Sequence, residues 1–434
     1  MRFTLSQSRM IIIGIALLIV IVTIVIFSFG TKPPTSAKVK LTVWGTFDSQ
    51  SVWQDIAGKY TTSGGNADIT YKEFLDPQTY ESELLNALAA GTGPDIFMFQ
   101  NTWLPKHIDK IVPLKETQKP LADFLSLFPQ VVEQDFVSHP VRQVYVSPLY
   151  IDTLAMFYNK NTFDKKSIAL VPATWTDFKN AILALREIDP KTNDILKAGA
   201  AIGGSEDSIN RATDLLATVM LQSGTQMVDS GFNSATFAGG KPGLDSLNFY
   251  IQFANPSSQY YTWNDNLHQS IDNFAEGGVG MIFNYSHQIA HFRDKNPYLN
   301  FGTAPMPQIA GSEQPVAYAN YWGLAVSNKS KNQDAAWAFV LYATTNEEAA
   351  QHYSGLTKKP PALRTLINKK LTDLDLGVFA KQALIARSWP EIDNNKVDRI
   401  FSNMIKSVIK GELPTDAALR KASDEVTQLM RLRK

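Results

Sequence analysis

The chain has 434 residues, 44% of them hydrophobic and 19% charged, and its 41 basic residues cancel its 41 acidic ones. That length exceeds what one hydrophobic core usually fills, so two lobes are expected. The neutral balance, without a concentrated Lys/Arg face, argues against nucleic acid as a partner. The absence of cysteine removes disulfide scaffolds, thiolate metal sites, cysteine nucleophiles and a lipid-bearing cysteine, and points to a bacterial protein working outside the cytoplasm.

The first element is an apolar run, Met10–Phe29, free of charge and preceded by Arg2 and Arg9. At ~1.5 Å per residue it reaches across a hydrocarbon core of ~30 Å, and the arginines favour a cytoplasmic N-terminus. Residues 1–38 are therefore expected to hold one transmembrane helix and a tether, Thr31–Lys38, that place the folded part outside the cell membrane. Cleavage of the same run as a signal peptide would instead release a secreted protein.

Val39–Trp44 reads as a strand, Ser49–Thr61 as a helix with Val52, Ile56 and Tyr60 on one face, and Ile69–Phe74 as a second strand. A helix over Tyr80–Ala90 ends at Gly91-Thr92-Gly93-Pro94, where glycine permits a left-handed stop and proline forbids resumption. Ile96–Phe99 is then a short buried strand. Strands alternating with helices at this spacing predict an α/β lobe with a parallel sheet. Further on, Leu121–Gln134 reads as a polar helical region, Val144–Leu149 and Ala155–Tyr158 as extended, and Thr174-Trp175-Thr176-Asp177 as the capped start of a helix. Ala200–Gly204, Val279–Phe283 and Trp322–Val326 read as strands; Ile209–Ser223, Leu244–Ala254 and Ala335–Ala343 read as helices.

In an open α/β sheet, ligands sit at the carboxyl ends of strands. The end of the Ile96–Phe99 strand carries Phe99, Gln100, Asn101, Thr102 and Trp103, an aromatic plane beside amides and a hydroxyl. That combination suits a sugar ring stacked in a desolvated cleft. Asp95 is expected to tie down its own turn. His287 and His291 share a helical face, but Gln288 stands where a zinc hydrolase needs its glutamate and no third ligand is evident. Neither a metal nor a cofactor is expected. Phosphate-loop, dinucleotide and nucleophile-elbow motifs are absent, and no residue is nominated as catalytic.

Six segments, in order, resemble the family 1 extracellular solute-binding proteins: Leu41–Gly45, Gly93-Pro94-Asp95-Ile96, Pro148 with Tyr158-Asn159-Lys160, Pro172–Trp175, Phe274–Met281 and Ala304–Pro307. These are receptor subunits of ABC importers and include maltose-binding proteins. The resemblance implies a two-lobed periplasmic-binding-protein-like fold of type II, hinged by three crossings near Leu149–Ile151, Tyr318–Gly323 and Tyr353–Pro361, with Gly323 and Gly355 as hinge glycines. Residues 39–149 with 324–352 would form one lobe, and 150–323 with 353–434 the other. It further implies a monomer capturing a small polar solute, foremost a carbohydrate, and handing it to an importer permease. Ligand contacts carried over by position are Trp44 and Thr46 after the first strand, Tyr150 and Asp152 at the first crossing, Tyr285 in the place of a frequent tryptophan platform, Tyr321 and Trp322 at the second crossing, and Trp389. With Phe99, Gln100, Asn101 and Trp103 these form the candidate site. Several have plainer explanations: Trp44 as core, Asp48 and Ser205 or Asp207 as helix caps, Asp152 as a solvated carboxylate. Two rival functions share the cleft: a carbohydrate lyase or hydrolase, and a ligand sensor for a membrane kinase.

Overall fold

The computed structural model describes Ile12, residues 14–21 and residues 38–432. Ile12 and residues 14–21 are helical, while the rest of the Met10–Phe29 run and nearly all of the Thr31–Lys38 tether lie outside the described residues. Among the described residues no helix is long and apolar enough to cross a membrane.

Strands of the main body are β1 (Val39–Thr46), β2 (Ala67–Phe74), β3 (Ile96–Gln100), β4 (Ile111–Val112), β5 (Val146–Pro148), β6 (Ala155–Asn159), β7 (Glu187–Ile188), β8 (Ile195–Ala200), β9 (Val279–Asn284), β10 (Phe301–Ala304), β11 (Ala317–Tyr318), β12 (Trp322–Ser327) and β13 (Ala386–Arg387). They build two sheets. The first runs β2-β1-β3-β12-β4 with β5 also on β12, the second β10-β6-β9-β8-β7, and β11 pairs with β13 apart from both. Each sheet is the centre of an α/β lobe.

In the first lobe β3 is apolar up to its last residue, Gln100, because both its edges and both its faces are covered. β1 lies parallel to it, pairing Val43 with Ile96, and β12 lies antiparallel, pairing Leu324 with Met98. The sheet is thus mixed rather than parallel as expected. β12 returns from the second lobe instead of arriving through a crossover helix from a neighbouring strand, so it runs the other way. Helix Gln50–Thr62 seats Trp53 flat on Tyr71, ring centres 5.4 Å apart, and against Phe339 of helix Gln333–Thr345. Burying an aromatic of this size contributes ~2–3 kcal/mol. Asp95 accepts from the Thr42 N–H at 2.9 Å and from the Ser330 hydroxyl at 2.6 Å, which pins β1 and the end of β12 to the start of β3. Gly91 does adopt a left-handed φ of 75°. Gly93 serves close approach instead, since a Cβ there would lie 2.7 Å from the Leu88 side chain.

The second lobe closes round a core that includes Phe157, Phe178, Leu215, Tyr250, Phe283 and Phe401. Helix Trp175–Leu185 begins with the expected cap: the Thr174 hydroxyl accepts from the Asp177 N–H, and the Asp177 carboxylate accepts from the Thr174 N–H, both at 3.1 Å. The strand expected over Ala200–Gly204 falls earlier, at Ile195–Ala200. Gly203, at φ 96°, lets the chain turn off the sheet and pass within 3 Å of where a Cβ would strike Ala254 and Tyr250 backbone. Leu121–Gln134 is two short helices, Leu121–Ser126 and Gln130–Phe136, parted at Phe128-Pro129.

Three connecting segments lie side by side between the sheets. Tyr150 bridges Pro361 and Thr153 bridges Ala319, while the Asn320 N–H donates to the Asp152 carbonyl at 3.1 Å. Gly323 is inside β12, where a Cβ would meet the Ser147 carbonyl oxygen at 2.5 Å, and Gly355 is inside helix Glu347–Thr357. Close strand packing, not torsional freedom, accounts for Gly323, which corrects its expected role as a hinge glycine.

Candidate functional site

A cleft of about 640 Å³ opens where the connecting segments meet both lobes. The first lobe contributes Phe47, from the turn after β1; the crossings contribute Tyr150, Asp152, Asn320, Trp322 and the stretch Ser354–Lys359. The second lobe supplies Arg211, at the start of helix Ala212–Gln222, and Tyr285, Ser286 and His287, which follow β9.

Backbone strain gathers here. Among the described residues six other than glycine have a left-handed φ, and three of them, Phe47 (67°), Arg211 (71°) and Lys358 (57°), line this one cleft. Such conformations cost of order 1 kcal/mol each and persist where side chains must be held in a set direction. At Phe47 the result is a half-exposed ring standing edge-on to Trp322, centres 5.6 Å apart. Phe47 is thereby offered to the cleft, with the largely buried Trp322 ring in the wall behind it.

Charged groups are mostly spoken for. The Lys359 ammonium pairs with Asp48, whose side chain is fully buried, and lies over the Tyr150 ring at 4.8 Å with Phe47 and Tyr353 also around it. Asp48 also accepts from the Tyr353 hydroxyl at 2.8 Å, so it ties two segments of the chain together rather than capping the helix that follows; Ser49 holds that position, without a side-chain bond. Arg293 grips Asp375 with two nitrogens, and Lys370 pairs with Asp373. Asp152 is buried and accepts from the Ser286 N–H at 3.1 Å, the Ser286 hydroxyl at 2.7 Å and the Thr153 N–H at 2.9 Å. Burial raises its carboxyl to about 7 despite those donors. Desolvation and the nearby cations Arg211 and Lys359 hold the His287 imidazole down, to about 4, so it stands neutral in the cleft.

Arg211 differs. Its Nε is shielded from water with no hydrogen-bond partner, and its guanidinium carbon lies 5.3 Å from the Tyr285 ring centre. Tyr285 in turn donates its hydroxyl to Asp214 at 2.7 Å.

Of the residues singled out by sequence, the structure brings Tyr150, Asp152, Tyr285 and Trp322 to this cleft. The others are engaged elsewhere. Trp44 packs on Phe74 at 5.1 Å beneath the Lys72 ammonium, and the buried Thr46 hydroxyl donates to the Phe74 carbonyl. Phe99 and Trp103 are buried against each other, and Trp103 also against Trp322. Gln100 reaches Asn320 at 3.4 Å, and Asn101 donates to Asp135. Tyr321 is wholly buried beside Phe136, and Trp389 packs on Phe401. The physical reason is common to them: packing of the lobe cores and of the seam between lobes claims these rings and amides first. Residues that sequence reasoning passed over are Phe47, Arg211 and Lys359. Arg211 fell inside the helix expected over Ile209–Ser223, which begins only at Ala212, so nothing in the sequence set it apart. His291 is exposed on helix Gln288–Lys295, and among the described residues no cluster of three His, Cys, Asp or Glu could hold a metal ion.

Comparison with known proteins agrees with this architecture. A family model described as bacterial extracellular solute-binding protein matches residues 55–373. The maltotriose-binding protein of Pyrococcus abyssi is 23% identical, over 90% of this chain and 82% of its own. The galactooligosaccharide-binding protein of Bacillus subtilis is 20% identical, over 91% of each. Among solved structures, the sugar-binding protein MalE from Xanthomonas citri superposes with a TM-score of 0.75 at 18% identity, covering 91% of this chain and 98% of that one. The cyclic alpha-maltosyl-1,6-maltose binding protein from Arthrobacter globiformis gives 0.73 at 19% identity, covering 91% and 100%. With its two sheets, its cleft at the crossings and a family match spanning most of its length, the chain belongs to the bacterial extracellular solute-binding proteins.

Proposed function

We propose that the protein is the extracytoplasmic receptor of an ABC importer and captures a carbohydrate between its two lobes without altering it. The cleft carries this reading: its volume falls in the ~300–1,000 Å³ range of small-molecule sites, and it combines the Phe47 and Trp322 rings with hydrogen-bonding groups of Asn320, Ser286 and His287. Rings supply stacking surface and the polar groups replace water on sugar hydroxyls. The named ligands of the similar proteins, maltotriose and galactooligosaccharide, support a sugar as the class.

In this reading the lobes are residues 39–149 with 324–352 and residues 150–323 with 353–434, and Tyr150, Asp152, Tyr285 and Trp322 act with Phe47 and Arg211 on the solute. Ligand binds the closed arrangement better than the open one, and that difference shifts the population. The Met10–Phe29 segment anchors the receptor in the cell membrane beside its permease. Calorimetric titration with oligosaccharides, sugar phosphates and peptides tests the proposal. Heat from at least one carbohydrate is expected; silence from all three classes, or a sugar returned chemically changed, contradicts it.

A further inference from the structure

The cleft's charges suggest what kind of sugar enters. We infer that the solute is an acidic carbohydrate, a uronate, whose carboxylate docks on the Arg211 guanidinium; the inference rests on the receptor reading above.

Four observations support it. Arg211 lines the cleft with a buried Nε that has no partner, and an unfilled donor on a shielded charged group is costly. The cleft cations Arg293, Lys359 and Lys370 are each matched by an aspartate, whereas among the described residues no carboxylate lies within ion-pair distance of Arg211 or of Lys358. Of these two, Lys358 is an exposed side chain while the Arg211 Nε is shielded. Its left-handed φ of 71° and the Tyr285 ring behind it fix the direction of the guanidinium before any ligand arrives. Finally, the closest acids are occupied. Asp214 holds the Tyr285 hydroxyl, Glu206 holds the Thr213 N–H and hydroxyl and the Arg211 backbone N–H, and Asp398 holds the same Thr213 hydroxyl. All three attract the Arg211 guanidinium from beyond ion-pair distance and, with Tyr285, hold it charged against the cost of burial, so the group a solute meets is a full cation.

A planar guanidinium matches a carboxylate through two parallel hydrogen bonds. A phosphate dianion would call for a second cation held beside Arg211; Lys359 is taken by Asp48, and Lys358 is an exposed side chain on the third connecting segment. One carboxylate per sugar ring fits better.

The experiment is calorimetric titration of the protein with disaccharides of galacturonate, glucuronate and mannuronate, each against its methyl ester, with maltotriose and glucose 6-phosphate alongside. At least one acid should bind ~10–100-fold more tightly than its ester, the worth of a charge-assisted hydrogen-bond pair. Arg211→Gln should erase that preference, and Arg211→Lys should keep part of it. Should Arg211→Gln fail to fold, the acid-to-ester ratio on the unaltered protein still decides. Equal binding of acid and ester, binding of maltotriose alone, or preference for the phosphate overturns the inference while leaving the sugar receptor intact. No binding by any probe overturns both.

Discussion

Lys359 and Arg211 bring a positive charge to the same cleft from opposite sides, yet they are held in opposite ways. Lys359, on the third connecting segment, is enclosed by aromatic rings and neutralised by an aspartate with no solvent exposure. Arg211, on the second lobe, is fixed by its backbone and backed by Tyr285; Asp214, Glu206 and Asp398 attract it, but among the described residues none forms an ion pair with its guanidinium. The difference teaches that charge in a cleft is not itself evidence of ligand contact: one cation is finished as structure, and the other is left open for a partner from solution.

That contrast is broken most easily by substitution. Lys359→Met strands the buried Asp48 carboxylate and should cost ~3–5 kcal/mol of stability, whereas Arg211→Gln should cost about 1 kcal/mol or less; chemical denaturation of both variants measures this, and equal losses would erase the distinction. Tyr285→Phe removes the hydroxyl that satisfies Asp214 and should destabilise by ~1–3 kcal/mol. It should also loosen Arg211, so the same variant is expected to weaken solute binding in calorimetry. Trp322→Ala should lower solute affinity ~10-fold or more through loss of a buried aromatic contact, and an unchanged affinity would remove Trp322 from the binding wall.

The smallest effect concerns pH. Burial raises Asp135, Asp152 and Asp398 each to about 7. The folded protein therefore holds more protons than the unfolded chain between about pH 4 and 7, and stability falls as pH rises through that window. His287, lowered to about 4, works against this on the acid side, where the unfolded imidazole takes up its proton first. Asp152→Asn should flatten the melting temperature's dependence on pH between 5 and 8, by about 1–2 °C overall; a slope identical to that of the unaltered protein would contradict the assignment.

Much of the fold was legible because buried strands write themselves as apolar runs: Ile96–Phe99 and Val279–Phe283 are buried and carry no polar side chain. Two-residue strands such as Ile111–Val112 and Ala386–Arg387 are set by their neighbours and carry no local pattern. The direction of β12 was equally hidden, since it depends on a chain that leaves one lobe and returns. At the cleft, Tyr150 and Asp152 at the first crossing and Tyr285 after β9 were named from the family resemblance, and they line it. Phe99 and Trp103 looked the same on paper, and only packing, of Trp103 against Tyr80 and Trp322 and of Phe99 against Phe97 and Trp103, assigns them to the interior. Arg211 and Phe47 depend on left-handed backbone at residues that rarely adopt it, which composition and periodicity do not encode.

Small-angle X-ray scattering with and without the carbohydrate identified by calorimetry tests the central claim most directly. A hinged receptor should show a smaller radius of gyration once saturated, as the lobes close on the sugar. An identical scattering profile at saturating ligand would contradict capture between two moving lobes.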